Sequence, residues 1–459
     1  MLNVAKFGGT SVADFDAMQR CVNIIKSQPQ TKLVIVSASA GVTNHLVSLA
    51  QDLLDDIECQ QIIERIRQIQ YRIINRLPNQ QELKKHIEQI LTELQYLSKQ
   101  QNTLQTAKNT DAILACGELM SSYLFSKVLQ CHDLASICFD VRTVMRTNSV
   151  FGKANIDLSE LSTLAKQYLI PLLDNKLNDK INNEADNNVV VTQGFIGADE
   201  QGSTTTLGRG GSDYSAALLA EACGATSLAI WTDVVGIFTT DPRIAPDAKA
   251  IKEISFGEAA EMATFGAKIL HPATLIPAIR SAIPVFVGSS REPEAGGTQI
   301  LQEVDSRPTY RSVALRKAQT LVTVKSPAML HASGFMAKVF TILAKHQLSV
   351  DLITTSEISV ALTFDNPAGS TQALITQTVV DELEQLCEVT VETGLSLIAV
   401  VGNDLHQSKG LGRDIFDHIE EVNIRLICHG ASANNLCFLV PEEHAEDVVK
   451  TLHDKLFKH

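Results

Sequence analysis

Residues 206–222 read TLGRGGSDYSAALLAEA, in which glycines surround Arg209 and an alanine-rich helix is predicted to begin on Ser212 and Asp213. The glycines permit positive φ and remove side-chain bulk, and the serine and aspartate suit N-cap positions. The free N–H groups of such a helix would attract an anion. An ordinary capped helix would also use these residues. We call residues 206–211 the glycine corner. The guanidinium of Arg209 within it favours a bound carboxylate or phosphate.

Composition limits what surrounds this corner. A chain of 459 residues is too long for one core and predicts two to four domains. Its 20% charged and 45% hydrophobic residues are typical of a globular protein. The net charge of −13 argues against non-specific binding to nucleic acid or to an anionic membrane. An anionic substrate must therefore be held by locally placed cations and backbone amides.

Neither the N-terminal sequence nor the cysteines suggest export. The N-terminus MLNVAKFGGTSV runs straight into a strand-and-loop pattern, and no later apolar run approaches about 18 residues. The nine cysteines are scattered without a C-x-x-C pair or a Cys/His cluster. We expect a cytoplasmic protein with buried, reduced thiols and no structural zinc.

The runs VAKF, LVIVSAS, VVVTQGF, SLAIWTDV and IPVFVGSS alternate with helical segments. Continuous Val/Ile runs of this kind indicate strands buried on both faces of a mostly parallel sheet, so the fold class is α/β. Residues 46–108 instead show long polar-apolar helical patterns, which predict a helical insert.

The C-terminal third repeats itself. A glycine, an amphipathic helix and a strand recur at 333–353 and 409–427, each flanked by further apolar strands. This pattern predicts two β-α-β-β-α-like units. The Gly-, Pro- and Ser-rich segment 288–312 before them predicts a domain boundary.

Two loops follow buried strands near the N-terminus. KFGGTS (6–11) combines a lysine with two glycines, and SASAGVTN (37–44) is small and hydroxylated. Loops at strand ends open onto a ligand crevice in α/β sheets, and rows of backbone N–H groups bind phosphate. The chain contains neither a Walker A sequence nor a GxGxxG after a strand.

Two later segments add further polar groups. WTDVVGIFTTDPR (231–243) supplies polar side chains and an aromatic ring, as a nucleotide base requires, and FGAKILHP (265–272) carries Lys268. Lys268, and Glu118 in CGELMS, are ambiguous when taken singly. Taken together, the loops favour phosphoryl transfer.

The chain resembles aspartokinases, specifically the monofunctional, lysine-sensitive type. The resemblance rests on motifs that span nearly the whole chain: KFGGTSV, SASAGVTN, GELMS, FDVRTVMRTN, TQGFIG, TTTLGRGGSDYSAALLAE, WTDVVGIFTTDPR, EAAEMATFGAKILHPAT and VDLITTSE. It implies an amino-acid-kinase domain at 1–295, a linker at 296–314, and two ferredoxin-like βαββαβ ACT modules at 315–389 and 390–459. It also implies phosphorylation of L-aspartate by ATP, with Mg²⁺ carried by the ATP and no metal ligands from the protein.

The resemblance assigns roles to individual residues. The catalytic set is Lys6, Lys268 and Asp213, and the substrate set is Thr43, Glu118, Arg209 and Ser212. The ATP-binding set is Lys6, Gly8, Gly9, Thr232, Asp233, Phe238, Arg243 and Lys268. Close relatives are expected to have Pro at Val235 and Tyr at Phe238. The phenylalanine keeps a stacking face and loses a hydroxyl.

The paired ACT modules imply a homodimer or homotetramer that L-lysine inhibits. The first repeat is expected to bind the lysine, because the second has Arg425 where Asp351 would be. The expected effector residues are Met329, Ser333, Gly334, Phe335, Ser349, Val350, Asp351, Thr355, Ser356 and Glu357. Ala332 replaces a serine expected in relatives, which would weaken inhibition.

Three other classes compete with this interpretation. Glutamate and acetylglutamate kinases share the fold but lack the paired repeat. A bifunctional enzyme with homoserine dehydrogenase would need a longer chain and a dinucleotide fingerprint. A regulatory amino-acid-binding protein with an inactive kinase domain is opposed by the joint presence of Lys6, Glu118, Arg209, Asp213 and Lys268.

Overall fold

The computed structural model describes residues 1–51, 54–174, 188–208, 210–266, 270, 272–330, 333–366 and 374–457. Contacts between Cα atoms divide the chain into two compact units. The first contains Met1–Ile237, Ala250–Phe256 and the described residues that follow up to Val304. The second contains Phe238–Lys249, the described residues from Gly257 to Gly266, and the described residues from Asp305 onward.

An eight-stranded sheet organises the first unit, in the order β3-β4-β2-β1-β7-β9-β10-β8. Strands in chain order are β1 (Asn3–Phe7), β2 (Thr31–Val36), β3 (Ser136–Phe139), β4 (Val189–Gln193), β5 (Ile196–Ala198), β6 (Thr204–Thr206), β7 (Ser227–Thr232), β8 (Glu253–Ser255), β9 (Val285–Ser289) and β10 (Gly297–Leu301). All neighbours in the sheet are parallel except β9 and β10. β5 and β6 form a separate antiparallel hairpin. The predicted mostly parallel α/β sheet is confirmed.

Helices cover both faces of this sheet. The helices up to α10 are, in chain order, α1 (Phe15–Ser27), α2 (Val42–Gln51), α3 (Asp56–Ile74), α4 (Gln80–Leu104), α5 (Ala107–Cys131), α6 (Leu158–Leu164), α7 (Ile170–Leu173), α8 (Gly211–Ala222), α9 (Phe256–Thr264) and α10 (Pro272–Arg280). Of these, α9 belongs to the second unit from Gly257 onward. Phe7 and Val36 belong to the core that the α1–α5 side forms. Ile35 is fully buried as well, and α8 packs on β1 and β2. Helices α3 and α4 occupy the segment predicted as a helical insert.

Among the described residues, α5 is the one helix whose length and composition would suit a membrane span. In the folded chain, 72% of its most apolar window is buried inside the protein. The apolar side chains of α5 are therefore used by the core, where Leu124, Phe125 and Val128 are fully buried.

The second unit is built on a six-stranded sheet with the order β12-β13-β11-β14-β16-β15. Its strands are β11 (Tyr310–Lys325), β12 (Ile353–Thr355), β13 (Ser359–Asp365), β14 (Glu388–Gly402), β15 (Leu426–His429) and β16 (Asn435–Pro441). Its helices, besides α9 from Gly257 onward, are α11 (Phe335–Lys345), α12 (Gln377–Glu384), α13 (Leu411–Phe416) and α14 (Glu442–Phe457).

Both predicted repeats share β11 and β14. Val324 pairs with Val389 beside the first repeat, whereas Val313 pairs with Val400 beside the second. Two separate apolar cores reflect this: Val324 packs with the α11 side, and Val313 packs with the α13 and α14 side. The amino half of β11 therefore belongs to the second repeat, although it precedes the first in the chain.

Two expectations need correction. The segment 296–314, expected to be a linker, contains β10 and the start of β11, because its turn-forming composition describes only the connection between them. The expectation of buried thiols is wrong for Cys131 and Cys138, which are exposed.

Candidate active site

The loops predicted to bind ligand meet at one edge of the first sheet. The Ser37 N–H donates to Phe7 O at 3.1 Å, and the Gly194 N–H donates to Val36 O at 3.0 Å. Carboxyl ends of parallel strands share an edge, so the residues after β1, β2, β4 and β7 are brought together there.

Lys6 and Asp213 form a buried ion pair at this edge. Lys6 Nζ lies 2.6 Å from Oδ1 of Asp213, and the two side chains are 9% and 16% exposed. The lysine belongs to β1 and the aspartate to the first turn of α8. A Cβ added to Gly8 would lie 3.6 Å from Nζ, so the glycine leaves that side of the ammonium uncovered. A held cation of this kind suits a developing anionic charge.

The glycines after β1 serve two different purposes. A Cβ on Gly9 would lie 2.7 Å from Ala38 O, so the approach of the two loops requires glycine. The Gly8 N–H donates to Trp231 O at 3.0 Å. The Gly8 amide is thus engaged by the sheet, which argues against its predicted contact with phosphate, and the contact of the Gly9 amide stays a prediction.

The glycine corner differs from its predicted capping. Gly210 is the N-cap of α8 with φ of 70°, and the helix begins at Gly211 without a side-chain cap. Ser212 and Asp213 therefore lie inside the first turn, because a left-handed glycine already supplies the cap conformation. A Cβ on Gly194 would lie 2.7 Å from Ser212 Cβ, which places this turn beside the end of β4. Arg209 lies outside the described residues.

Glu118 is a buried acid at the same edge. It lies on α5, is 5% exposed, and its Oε1 accepts from Ala38 N at 3.1 Å. Burial raises the pKa of Glu118 to about 8, against the opposing effects of the Ala38 N–H and the Lys6 ammonium. Thr43 lies exposed in the first turn of α2, which follows the same loop.

The predicted nucleotide residues divide between the two units. Thr232 ends β7 and donates to Oδ1 of Asp233 at 3.2 Å in the first unit. Phe238 and Arg243 belong to the second unit. The Arg243 side chain is 83% exposed and lies 2.6 Å from Asp241 Oδ2. Lys268 lies outside the described residues.

The predicted effector residues gather around α11 and β12 in the second unit. Gly334 is the N-cap of α11 with φ of 86°, and Ser356 Oγ lies 2.6 Å from Ser359 Oγ. Glu357 is exposed. Asp351 is already paired, because Arg316 lies 2.7 Å away. Ala332 lies outside the described residues.

Sequence reasoning missed three residues next to these sites: Asp111, Arg316 and His453. Asp111 lies two helical turns before Glu118 on α5, a spacing that the sequence displays. His453 Nε2 is hydrogen-bonded to Thr239 Oγ1 at 2.8 Å across 214 positions. A local sequence pattern does not predict a contact between residues so far apart in the chain.

The chain is similar to known proteins over nearly its whole length. Residues 1–289 match the amino acid kinase family, and residues 398–456 match the ACT domain. The lysine-sensitive aspartokinase 3 of Escherichia coli (strain K12) is 52% identical over 458 residues, which are 99% of each chain. The chloroplastic aspartokinase 1 of Arabidopsis thaliana is 33% identical over 472 residues, covering 99% of this chain and 80% of the relative.

Solved structures show the same similarity. The E. coli aspartokinase III in complex with aspartate and ADP (R-state) superposes with a TM-score of 0.90 at 51% identity, covering 100% of both chains. The complex of that enzyme with lysine and aspartate (T-state) gives 0.81 at 52% identity, covering 99% of both. The chain therefore belongs to the amino acid kinase family, as an aspartokinase with C-terminal ACT modules.

Proposed function

We propose that this aspartokinase transfers the γ-phosphoryl group of ATP to the side-chain carboxylate of L-aspartate. The products are 4-phospho-L-aspartate and ADP, the first step of lysine, threonine and methionine biosynthesis, and L-lysine inhibits the reaction. The observation that carries the proposal is the buried Lys6–Asp213 pair at the sheet edge that also holds Glu118.

The nucleophile needs no general base. A free aspartate side chain has a pKa near 4 and is ionised at neutral pH. Catalysis then depends on alignment of the two substrates and on neutralisation of the charge of the transferred group. We assign the second task to Lys6, and its ion pair with Asp213 supports the assignment because the pair fixes the ammonium at the sheet edge. Lys268 is assigned the same task from the sequence alone.

The substrate residues follow from the chemistry of aspartate. Arg209 pairs with the α-carboxylate, and Glu118 pairs with the ammonium group. Thr43 and Ser212 add hydrogen bonds. The Glu118 carboxylate is preorganised for its part, because the Ala38 N–H fixes one of its oxygens.

ATP is assigned to the Gly9 amide, Thr232, Asp233, Phe238 and Arg243. Mg²⁺ enters with the ATP and is held mainly by its phosphates, since Mg²⁺ keeps few protein ligands in such sites. Asp213, the acid assigned to the catalytic set, is paired with Lys6. Bound Mg²⁺ would supply charge neutralisation at the phosphates.

We further propose a cytoplasmic homodimer or homotetramer that assembles through the ACT modules and binds neither nucleic acid nor membrane. The net charge of −13 opposes binding to polyanions. The short strand β12 forms one edge of the second sheet, where all three of its residues are exposed. Such an edge can pair with a second copy.

One assay tests the function. ADP release is measured by a coupled assay with aspartate, glutamate and N-acetylglutamate as acceptors, with and without lysine, and over a Mg²⁺ titration. Of the three acceptors, we expect only aspartate to be phosphorylated. The reaction should require Mg²⁺ and be inhibited by lysine. Turnover with another acceptor, or no turnover at all, would replace the aspartate assignment. In Arg209→Ala the KM for aspartate should rise; a rise in the KM for ATP alone would reassign the arginine.

A further inference from the structure

Asp111 is a buried carboxylate on α5 that the proposed reaction does not use. Asp111 is fully buried, with 0% of its surface exposed. Burying an ionised carboxylate is unfavourable unless hydrogen-bond donors surround it. Burial raises the pKa of Asp111, while its hydrogen-bond donors lower it.

Those donors come from two separate segments, a loop that contains Gly152 and the last residue of β6, Thr206. The Gly152 N–H lies 3.0 Å from Oδ1 and 2.9 Å from Oδ2. The Thr206 N–H lies 2.8 Å from Oδ2, and the Thr206 hydroxyl lies 2.8 Å from Oδ1. Both oxygens of Asp111 are therefore used by neutral donors that hold backbone in place.

Thr206 is the residue at which the glycine corner begins. Its carbonyl accepts from Ala154 N at 2.9 Å, so its N–H, carbonyl and hydroxyl are all bonded. Leu207 N then donates to Phe195 O at 2.9 Å, and Gly208 turns the chain with φ of 77°. Asp111 is thus one of the groups that fix the position of the chain before α8, together with Ala154 and the strand β5.

Helix α5 also carries Glu118, two turns further along. One rigid helix therefore holds the acid assigned to the substrate ammonium and the anchor of the corner that leads to Ser212 and Asp213. We propose that Asp111 is a positioning residue for aspartate binding: it keeps the amino-terminal turn of α8 in register with Glu118. The inference rests on the proposed function, in which that turn and Glu118 hold the aspartate.

The test compares Asp111→Asn with Asp199→Asn. The asparagine keeps the shape of Asp111 but turns an NH₂ group toward N–H donors. Asp199 is a matched control, because it is 2% exposed and accepts from Ser203 N at 2.7 Å at the far end of β6. We expect Asp111→Asn to raise the KM for aspartate about 10-fold and to leave the KM for ATP within about twofold. The control should change neither.

A second measurement does not depend on activity. Hydrogen exchange followed by mass spectrometry should be faster in peptides covering 206–215 of Asp111→Asn than in wild type, and unchanged there in Asp199→Asn. Thr206→Val removes only the hydroxyl donor and should raise the KM for aspartate by less than Asp111→Asn does. If Asp111→Asn does not fold, Thr206→Val replaces it in both measurements.

Equal rises in both KM values, or an unchanged KM for aspartate in folded Asp111→Asn, would overturn the inference. Wild-type protein without aspartate kinase activity would instead overturn the proposed function, while the exchange experiment would still test the anchor.

Discussion

Arg316 bridges Asp351, predicted to bind the effector, and the end of helix α9. Its Nη2 lies 2.7 Å from Asp351 Oδ2, and its Nη1 donates to Thr264 O at 3.3 Å. Asp365 shares the same guanidinium at 2.8 Å. An incoming lysine ammonium must therefore compete with Arg316 for Asp351. A ligand that displaces Arg316 changes a contact to α9, the helix that precedes Lys268 in the chain.

Asp351→Ala should leave the uninhibited activity near that of wild type and move the lysine inhibition curve to at least about 10-fold higher concentration, because inhibition requires tighter lysine binding to the inactive state. Asp365→Ala, which also removes a partner of Arg316 but keeps Asp351, is the control and should shift the curve much less. Activity measured against lysine concentration separates the two. A wild-type enzyme that ignores millimolar lysine and responds to threonine would show that the effector is misassigned.

Lys6→Ala should lower kcat by a factor on the order of 100, because it removes a cation that stabilises the transferred phosphoryl group. Lys268→Ala is expected to behave in the same way. Lys26→Ala, at the end of α1, controls for loss of a lysine elsewhere. Circular dichroism confirms folding before kinetics are compared. A folded Lys6→Ala enzyme with wild-type kcat would exclude Lys6 from the mechanism.

Glu118 predicts a pH dependence of aspartate binding. Its raised pKa of about 8 means that the free enzyme carries it protonated at pH 7, and only the ionised form pairs with the substrate ammonium. As pH rises from 6 to 9, kcat/KM for aspartate should therefore increase and level off above about 8. Glu118→Gln should be less active and lack this limb. A profile for wild type that is flat over this range contradicts the role.

Glu118 also makes the stability of the fold depend on pH. Stability should fall as pH rises, whereas kcat/KM for aspartate should increase. The folded state binds its proton more tightly than the unfolded state, whose carboxyl has an ordinary pKa. Its contribution to the free energy of unfolding is thus full at low pH and declines as pH rises from the unfolded pKa through about 8. The Tm of Glu118→Gln should fall less than that of wild type across this interval. Equal slopes would mean that another group controls the stability.

The hydrogen bond of His453 connects α14 to the segment of the second unit that holds Phe238 and Arg243, both predicted to bind the nucleotide. His453→Ala removes the hydrogen bond to Thr239, the neighbour of Phe238, and should raise the KM for ATP several-fold with little change in the KM for aspartate. His444→Ala, on the exposed side of α14, is the control. Michaelis constants for both substrates decide the matter. An unaltered KM for ATP would show that the contact of α14 with Thr239 does not contribute to nucleotide binding.

Local patterns were sufficient for the parallel sheet and for the positive φ of the glycines before α8. Continuous apolar runs identify strands covered on both faces, and glycines identify positive φ, as Gly208 and Gly210 show. The choice of cap was wrong because Gly210 and Ser212 both suit a helix start, and only the path of the chain from Thr206 decides between them. The fully buried Asp111 was missed because its partners, Gly152 and Thr206, are distant from it in the chain.

The shared strands β11 and β14 have a consequence for synthesis of the chain. The amino half of β11 leaves the ribosome before the first repeat, yet its partner on β14 ends at Gly402. The first repeat can close its core earlier, while the second must wait for α14. A truncation after the first repeat would leave the amino half of β11 without its partner on β14, as an open, apolar edge, and such edges promote aggregation. The two regulatory modules are thus one inside the other, and only the inner one can be removed without breaking the outer.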